Sequence, residues 1–103
     1  MKVAAFHGSP RAEGNIDILL RETVKAIDEA KHEIKVFQLN NLSIKPCQDC
    51  GGCDETGVCI INDDMDEIYD AIREADRVIL ASPIFFFGLS AQEKSMIDRC
   101  QSF

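Results

Sequence analysis

Two short, fully apolar runs separated by amphipathic segments constrain the fold of this 103-residue chain more than any other feature. Val3 to Phe6 and Val78 to Ala81 have the continuous apolar character of strands that are buried on both faces of a sheet. Each is followed by a turn and then by apolar residues at helical spacing. The predicted order is β-α-β-loop-α-β-loop-α, which favours a doubly wound α/β fold with a mostly parallel sheet.

The remaining elements are placed by apolar periodicity and by side chains that can cap a helix. Asn15 is the predicted N-cap of the first helix, and Ser90 with Glu93 forms a capping-box pair that opens the third. Asp63 and Asp64 are interpreted as the cap of the second helix rather than as paired acids. The predicted segments are a helix over 15–31, an edge strand over 33–39, a helix from 62 or 63, a strand over 77–82 and a helix over 90–100.

The loop after the first strand has the composition of an anion site. It joins a buried strand to a helix N-terminus, where free N–H groups and the positive end of the helix dipole meet. Ser9, Arg11 and Asn15 supply a hydroxyl, a guanidinium and an amide, while Gly8 and Gly14 allow tight turns. The glycine spacing matches neither a P-loop nor the dinucleotide fingerprint. The pattern favours phosphate binding over the alternative, a plain turn with a solvated arginine.

The segment from 40 to 62 is longer than the usual α/β connection of about 2–6 residues, which indicates a functional loop. Its four cysteines have the spacing C-x2-C-x2-C-x5-C, and its glycines allow the backbone to wrap around a compact group. Sets of four closely spaced cysteines hold iron–sulfur clusters. A structural zinc ion, a thiol–disulfide pair and plain reduced cysteines stay open as alternatives. The candidate ligands are Cys47, Cys50, Cys53 and Cys59.

A second loop, rich in aromatic residues, follows the third strand at Pro83 to Gly88. Ligands of open α/β sheets bind outside the carboxyl ends of the strands, at the switch point between strands 1 and 3. We therefore expect this loop and the anion loop to border one crevice, with the aromatic loop offering a flat apolar surface to a ring system. The alternative is that its three phenylalanines fill the core. Consecutive side chains cannot all face one way, so we expect at least one to be exposed.

The charge balance and the hydropathy limit the partners and the location. Eighteen acidic against eleven basic residues give a formal charge of -7, which argues against a nucleic-acid or anionic-membrane partner. No apolar run approaches the ~20 residues of a membrane span, and the N-terminus has no signal-peptide pattern. We expect a cytoplasmic protein with reduced or metal-bound cysteines. Structural roles are expected for His7, His32 and Cys100.

Together these segments resemble the NAD(P)H-dependent FMN reductase group of flavodoxin-like proteins, and especially its iron–sulfur flavoprotein branch. The family pattern G-S-P-R, two residues, then G-N is matched by Gly8 to Asn15. Its Pro-Cys start, compact cysteine run, G-x-C and D-D-M are matched between Pro46 and Met65. Its A-S-P-aliphatic-aromatic loop and the following K…I-D-R helix are matched from Ala81 to Arg99. The likeness runs from end to end of the chain.

The resemblance implies a flavin-dependent oxidoreductase that uses FMN, with the four cysteines holding a [4Fe-4S] cluster that exchanges electrons with the flavin. It also implies a redox partner such as ferredoxin or NAD(P)H, and a homodimer or homotetramer. Two alternatives remain, an NAD(P)H-dependent FMN or quinone reductase without a cluster and a zinc-stabilised, non-enzymatic interaction domain. The implied FMN-binding residues are Ser9, Arg11, Gly14, Asn15 and Ile16 at the phosphate and Pro83, Ile84, Phe85, Phe86 and Gly88 at the isoalloxazine.

The resemblance also sets the expected extent of the domain. Three strands and three helices of the flavodoxin-like order 2-1-3-4-5 are present, and strands 4 and 5 are missing. We expect 1–103 to be the N-terminal part of a single FMN-binding domain with a cysteine-rich loop at 40–62, in preference to a chain completed by another subunit. Two residues depart from the family pattern. Ile16 stands where many relatives have Ser or Thr, and Phe85 replaces a frequent Tyr.

Overall fold

Three parallel strands alternate with three helices along the chain. The computed structural model describes residues 1–11 and 13–103. Short 3₁₀ turns at Leu39–Asn41 and Arg99–Ser102 follow the second strand and the third helix. The elements are β1 (Lys2–His7), α1 (Asn15–Glu29), β2 (Glu33–Gln38), α2 (Met65–Glu74), β3 (Arg77–Ala81) and α3 (Ala91–Asp98).

The sheet has the strand order β2-β1-β3, with β1 in the centre and both neighbours parallel to it. His7 at the end of β1 pairs with Gln38 of β2 and with Ala81 of β3, so the three strands end level with one another. β1 is buried from its second residue onward, as a central strand covered on both faces must be. This order is that of the first three strands of a flavodoxin-like sheet, and the predicted fold class is confirmed.

The main core lies between one face of the sheet and the helices α2 and α3. Phe6 of β1 stacks on Phe37 of β2 with ring centroids 5.3 Å apart. Alternate residues of a strand face opposite sides of a sheet, so Gly8 continues the row of Ala4 and Phe6 toward α3, whereas His7 points toward α1. The buried cluster comprises Ala4, Phe6, Phe37, Leu39, Met65, Ile68, Tyr69 and Met96.

Two of the predicted caps differ from the structure. The N-cap of α1 is Gly14, with extended backbone and no side-chain hydrogen bond, and Asn15 is the first helical residue. Ser90 caps α3 as predicted, since its Oγ accepts a hydrogen bond from the Glu93 N–H at 3.2 Å. Glu93 does not return the bond, because the Ser90 N–H donates to Ser82 Oγ at 2.9 Å instead. The predicted capping box is therefore half correct.

The helix ends also differ from the predictions. α1 ends at Glu29, and Lys31 takes a left-handed backbone with φ 64°, which turns the chain into β2. α2 begins only at Met65, whose N–H donates to Asp63 Oδ1 at 3.1 Å, so Asp63 does serve the start of this helix. β3 ends at Ala81, and α3 changes to a 3₁₀ turn after Asp98. Hydropathy alone does not mark these ends, since local hydrogen bonds set them.

Candidate functional site

The anion loop, residues 8–15, leaves the end of β1 and enters α1. It is fixed to the neighbouring strand because the Gly8 N–H donates to the Ala81 carbonyl at 2.7 Å. Ser9 is buried, and its Oγ accepts from the Arg11 N–H at 3.1 Å. Arg11 is exposed and lies over Gly14, at the N-terminus of α1. Ala12, within this loop, lies outside the described residues.

The start of α1 suits a bound anion. Its first turn lacks a side-chain cap, and its first helical hydrogen bond runs from the Ile18 N–H to the Gly14 carbonyl at 3.1 Å. The preceding N–H groups of such a turn have no partner within the helix and point outward along its axis. The one acid of this turn, Asp17, is turned away into ion pairs with Arg21 at 2.8 Å and His7 at 3.5 Å.

The aromatic loop, residues 83–88, leaves β3 beside the anion loop. Phe85 and Gly88 form a two-residue hairpin through N–H to carbonyl bonds of 3.0 and 3.1 Å. Phe86 and Phe87 occupy its tip with positive φ, at 46° and 67°. These two residues are 96% and 93% exposed, which confirms that at least one phenylalanine of the run lies outside the core. The structure thus presents an apolar tip at the carboxyl edge of the sheet.

Ser90 links the two loops through hydrogen bonds, and Glu93, one helical turn later, lies against Gly8. The Ser90 Oγ donates to the Gly8 carbonyl at 2.6 Å, and its N–H reaches Ser82 after β3. Glu93 is fully buried, and neither of its carboxyl oxygens has a hydrogen-bond partner among the described residues. Burial raises the pKa of Glu93 to about 8. Sequence reasoning assigned Glu93 only to a helix cap, and no sequence signal marked its place under the loop.

The four predicted cluster ligands line one cavity of about 250 Å³. Gly51 and Gly57 turn the loop around it with φ of 74° and 70°, a conformation that favours glycine. All four thiols are free, and Gln101 Nε2 lies 3.9 Å from Cys47 Sγ. In residues 1–11 and 13–103, no three His, Cys, Asp or Glu side chains are spaced to hold a metal ion. The cysteines therefore face a common space without converging on one point.

A buried ion pair closes the base of this cysteine loop. Arg99, directly after α3, binds Asp63 through two hydrogen bonds of 2.7 and 3.1 Å. Its guanidinium also donates to the carbonyls of Lys45 at 2.8 Å and Ile61 at 3.4 Å. The Tyr69 hydroxyl donates to the Arg99 carbonyl at 2.6 Å. Both ends of the cysteine segment are thus held by one side chain, to which the sequence patterns gave no role beyond the I-D-R match.

This ion pair shifts the pKa values around it. Burial raises the pKa of the Asp63 carboxyl, but the bonds from Arg99 outweigh burial and the net pKa is lowered. Burial likewise raises the pKa of Cys59, and the hydrogen bonds from the Ile61 backbone and Arg99 bring it below its ordinary value. The pKa of Arg99 is raised, because Asp63 and Cys59 outweigh its burial. Cys59 is therefore held in an environment that favours thiolate, the form that ligates metals.

The three residues expected to be structural have local partners. His7 is buried against Asp17, and His32 Nδ1 lies 3.0 Å from the N-terminal amine. Cys100 is half-buried beside the core, its thiol donates to the Met96 carbonyl at 3.4 Å, and burial raises its pKa. A long apolar helix of the kind that crosses a membrane does not occur in the described part of the chain.

Comparison with known proteins shows similarity to FMN reductases and to iron-sulfur flavoproteins. A family model described as NADPH-dependent FMN reductase matches residues 1–102. An iron-sulfur flavoprotein of Methanocaldococcus jannaschii, MJ1083, is 46% identical over 96% of this chain and 51% of its own length. An iron-sulfur flavoprotein of Methanosarcina thermophila is 35% identical over 96% and 52%, respectively. The putative NAD(P)H-dependent FMN-containing oxidoreductase YwqN of Bacillus subtilis is 34% identical over 96% and 51%.

Among solved structures, the crystal structure of RosB with bound 8-demethyl-8-formylriboflavin-5'-phosphate superposes with a TM-score of 0.76. The sequence identity is 16%, so this similarity bears on the fold alone; it covers 96% of this chain and 41% of RosB. The chain spans about half the length of the curated relatives it matches.

Proposed function

Because this chain belongs to the NADPH-dependent FMN reductase family, we propose that it forms the FMN-phosphate-binding part of a flavin-dependent oxidoreductase. The observation that carries the proposal is the placement of two complementary loops at adjacent strand ends. The N-terminus of α1, whose first N–H groups have no partner within the helix, lies beside Arg11, and the aromatic loop presents an apolar tip. Such a pair suits a ligand with a phosphate at one end and a flat ring system at the other.

In this proposal each loop residue has a definite task. Ser9, Asn15 and the exposed guanidinium of Arg11 donate hydrogen bonds to the phosphate, helped by the backbone at Gly14 and Ile16. The aromatic loop excludes water from one side of the isoalloxazine, through Pro83, Ile84, Phe85, Phe86 and Gly88. Bound FMN would supply the exchange of one or two electrons, and the protein would position it.

We further propose that the cysteine loop holds a [4Fe-4S] cluster. Four thiols line one cavity, three of them half-buried, and four cysteine sulfurs are the ordinary ligand set of such a cluster. Hydrogen bonds from the Ile61 backbone and from Arg99 outweigh burial and lower the pKa of Cys59, which favours the thiolate that a cluster requires. The names of the archaeal relatives point the same way. A bound cluster would add one-electron exchange with a carrier protein such as ferredoxin.

The second candidate is a reductase of FMN or a quinone with NAD(P)H as donor and no cluster. The similarity to YwqN, whose name mentions FMN but no cluster, favours it. In either case we propose that residues 1–103 are the N-terminal part of one FMN-binding domain in a cytoplasmic homodimer or homotetramer.

Anaerobic purification followed by a visible spectrum and assays of flavin, iron, sulfide and zinc tests these proposals on one sample. Flavin with about four irons and four sulfides per chain supports the cluster proposal. Flavin without metal favours the cluster-free reductase. Zinc without flavin contradicts the redox proposal and favours a zinc-stabilised interaction domain.

Two pairs of variants separate the two sites. Arg11→Ala should lower flavin content and leave iron unchanged, with Arg77→Ala, an exposed arginine at the opposite end of the sheet, as the control. Cys50→Ala should lower iron and leave flavin unchanged, with Cys100→Ala as the control. Equal loss of both cofactors in Arg11→Ala and Cys50→Ala would contradict two separate sites.

A further inference from the structure

A carboxylic acid is sealed directly beneath the anion loop. Glu93 has no solvent exposure, and a Cβ added at Gly8 would overlap its Oε2. Gly8 is the first residue of the loop and is held in place by Ser90, the N-cap of the same helix. Glu93 therefore touches the backbone from which the loop departs.

Among the described residues, no charged group compensates this acid. Within the same residues, neither of its oxygens has a hydrogen-bond partner and no ion pair includes it. An isolated carboxylate costs too much to bury, so the neutral form is the stable one. Burial accordingly raises the pKa of Glu93 to about 8.

The charged groups on the surrounding elements are engaged elsewhere. On β1, His7 points to the opposite face of the sheet and lies 3.5 Å from Asp17. On α3, Lys94 pairs with Asp98 in solvent.

The other neighbours leave Glu93 equally without a counter-charge. The 3₁₀ turn after β2, Leu39–Asn41, carries no charged side chain, and its Asn40 contacts Gln92 at 3.1 Å. Arg11 lies in solvent over Gly14, and Arg99, after α3, forms an ion pair with Asp63. Ionisation of Glu93 would thus place an unneutralised negative charge under the loop.

We propose that the anion loop holds the phosphate of FMN more tightly when Glu93 is protonated, so that FMN affinity falls when this carboxyl ionises. The inference rests on the proposed function, since it concerns the same phosphate site. At an assumed separation of about 10 Å and an effective dielectric constant of about 20, one negative charge would weaken the binding of another by roughly tenfold. The linkage is reciprocal, so bound FMN raises the pKa of Glu93 correspondingly.

The test measures the dissociation constants of FMN and riboflavin by flavin fluorescence between pH 6.5 and 9.5, on the full chain and on Glu93→Gln. Glutamine keeps the shape of the side chain and cannot ionise. In the wild type, the FMN dissociation constant should rise about tenfold across this range, whereas riboflavin, which lacks the phosphate, should show no such rise. Glu93→Gln should remove the rise for FMN. Glu29→Gln, an exposed glutamate at the far end of α1, should retain it.

A second measurement needs no substitution. The ¹³C-carboxyl resonance of Glu93 should titrate about one pH unit higher with FMN bound than without it. An unchanged titration, an FMN affinity independent of pH, or an equal fall for riboflavin would each overturn the inference while leaving FMN binding intact. Absence of FMN binding at pH 6.5 in both wild type and Glu93→Gln would instead overturn the proposed function, and the inference with it.

Discussion

Among the glycines of the chain, Gly8 has the least room for a side chain. An added Cβ would overlap Glu93 Oε2 and lie 2.9 Å from Ser90 Oγ and 3.0 Å from Glu93 Cβ. Gly8→Ala should therefore lower the free energy of unfolding by about 1–3 kcal/mol, because a well-packed contact cannot absorb a methyl group without shifting. Urea denaturation measures the change. Gly88→Ala, where a Cβ meets nothing within 4 Å, should cost much less.

A double variant identifies the colliding group. In a Glu93→Ala background, the cost of Gly8→Ala should shrink, because the carboxyl that the new methyl group meets is gone. Equal costs in both backgrounds would show that Glu93 is not the obstacle.

Glu93 should also make stability depend on pH. Its ordinary pKa is 4.5 and burial raises it to about 8, so the folded state keeps a proton that the unfolded state has already lost. Stability from this group is therefore full below about pH 4.5 and declines as the pH rises to about 8, by up to about 1.4 kcal/mol per pH unit. Between pH 6 and 8, wild type should lose about 2 kcal/mol relative to Glu93→Gln in urea denaturation. A constant difference between the two proteins would show that the acid is not held neutral.

At the level of single residues, sequence patterns predict the role of Ser90 but not that of Glu93. A capping box is a local pattern, and Ser90 satisfies its local half. The other half fails because Ser82, eight residues away, takes the Ser90 N–H and leaves the carboxylate of Glu93 alone in the interior. Similarly, the N-cap of α1 is Gly14 and not the predicted Asn15, because the backbone geometry that sets the cap does not follow from residue preference.

Among elements, the connection between the cysteine loop and the end of α3 depends on the Arg99–Asp63 pair. Both side chains are buried, and the pair is bidentate. Arg99→Met should cost about 3–5 kcal/mol, because it leaves the Asp63 carboxylate buried without a partner. Lys94→Met breaks a solvent-exposed pair of the same chain and should cost less than about 1 kcal/mol. Similar costs for the two variants, measured by chemical denaturation, would contradict the central role of Arg99.

The hairpin tip of the aromatic loop carries backbone strain. Phe86 and Phe87 both have positive φ, at positions where hairpins of this length favour Asn and Gly. The double variant Phe86→Asn/Phe87→Gly should therefore raise the free energy of unfolding by about 1–2 kcal/mol. Phe86→Leu/Phe87→Leu, which removes the rings but keeps both β-carbons, should not. A thermal melting series distinguishes the two, and equal effects would attribute the change to exposed apolar surface instead.

Strained tips of this kind are common at ligand sites, and the same variants bear on the proposed function. Loss of flavin affinity in both double variants, with stabilisation in only one, would assign the rings to the flavin and the strain to the backbone.

The order and type of the elements could be predicted from the sequence, because apolar runs and helical periodicity are local properties. The conformation of the hairpin tip could not be predicted, since phenylalanine rarely adopts positive φ and the sequence pattern contains no signal for it.

At the scale of the whole molecule, β3 leaves one edge of the sheet open in this chain. Val78 and Leu80 are each 48% exposed, with no charged residue between them. Such an edge pairs readily with another chain. Leu80→Lys should therefore reduce self-association, measured by sedimentation equilibrium. Ile18→Lys, the same charge change on an exposed position of α1, should leave it unchanged. A fall in both would indicate a general effect of charge.

The sheet order could be predicted from the sequence because parallel strands joined by helices leave few topologies. The four cysteines could be assigned to one loop from their spacing, and they do line one cavity. The interactions of Arg99 that close this loop could not be predicted, because Arg99 lies 36 residues from Asp63 and 54 from Lys45. Contacts across such distances leave no periodic trace.

The hydrogen bonds of Arg99 make the cysteine segment a closed loop. Both of its ends, at Lys45 and Asp63, meet on a single guanidinium, so the intervening chain begins and ends at nearly the same place. Closing a loop costs only about 0.6 kcal/mol more for each doubling of its length. The segment can accordingly be lengthened, shortened or exchanged in evolution while the three strands stay as they are.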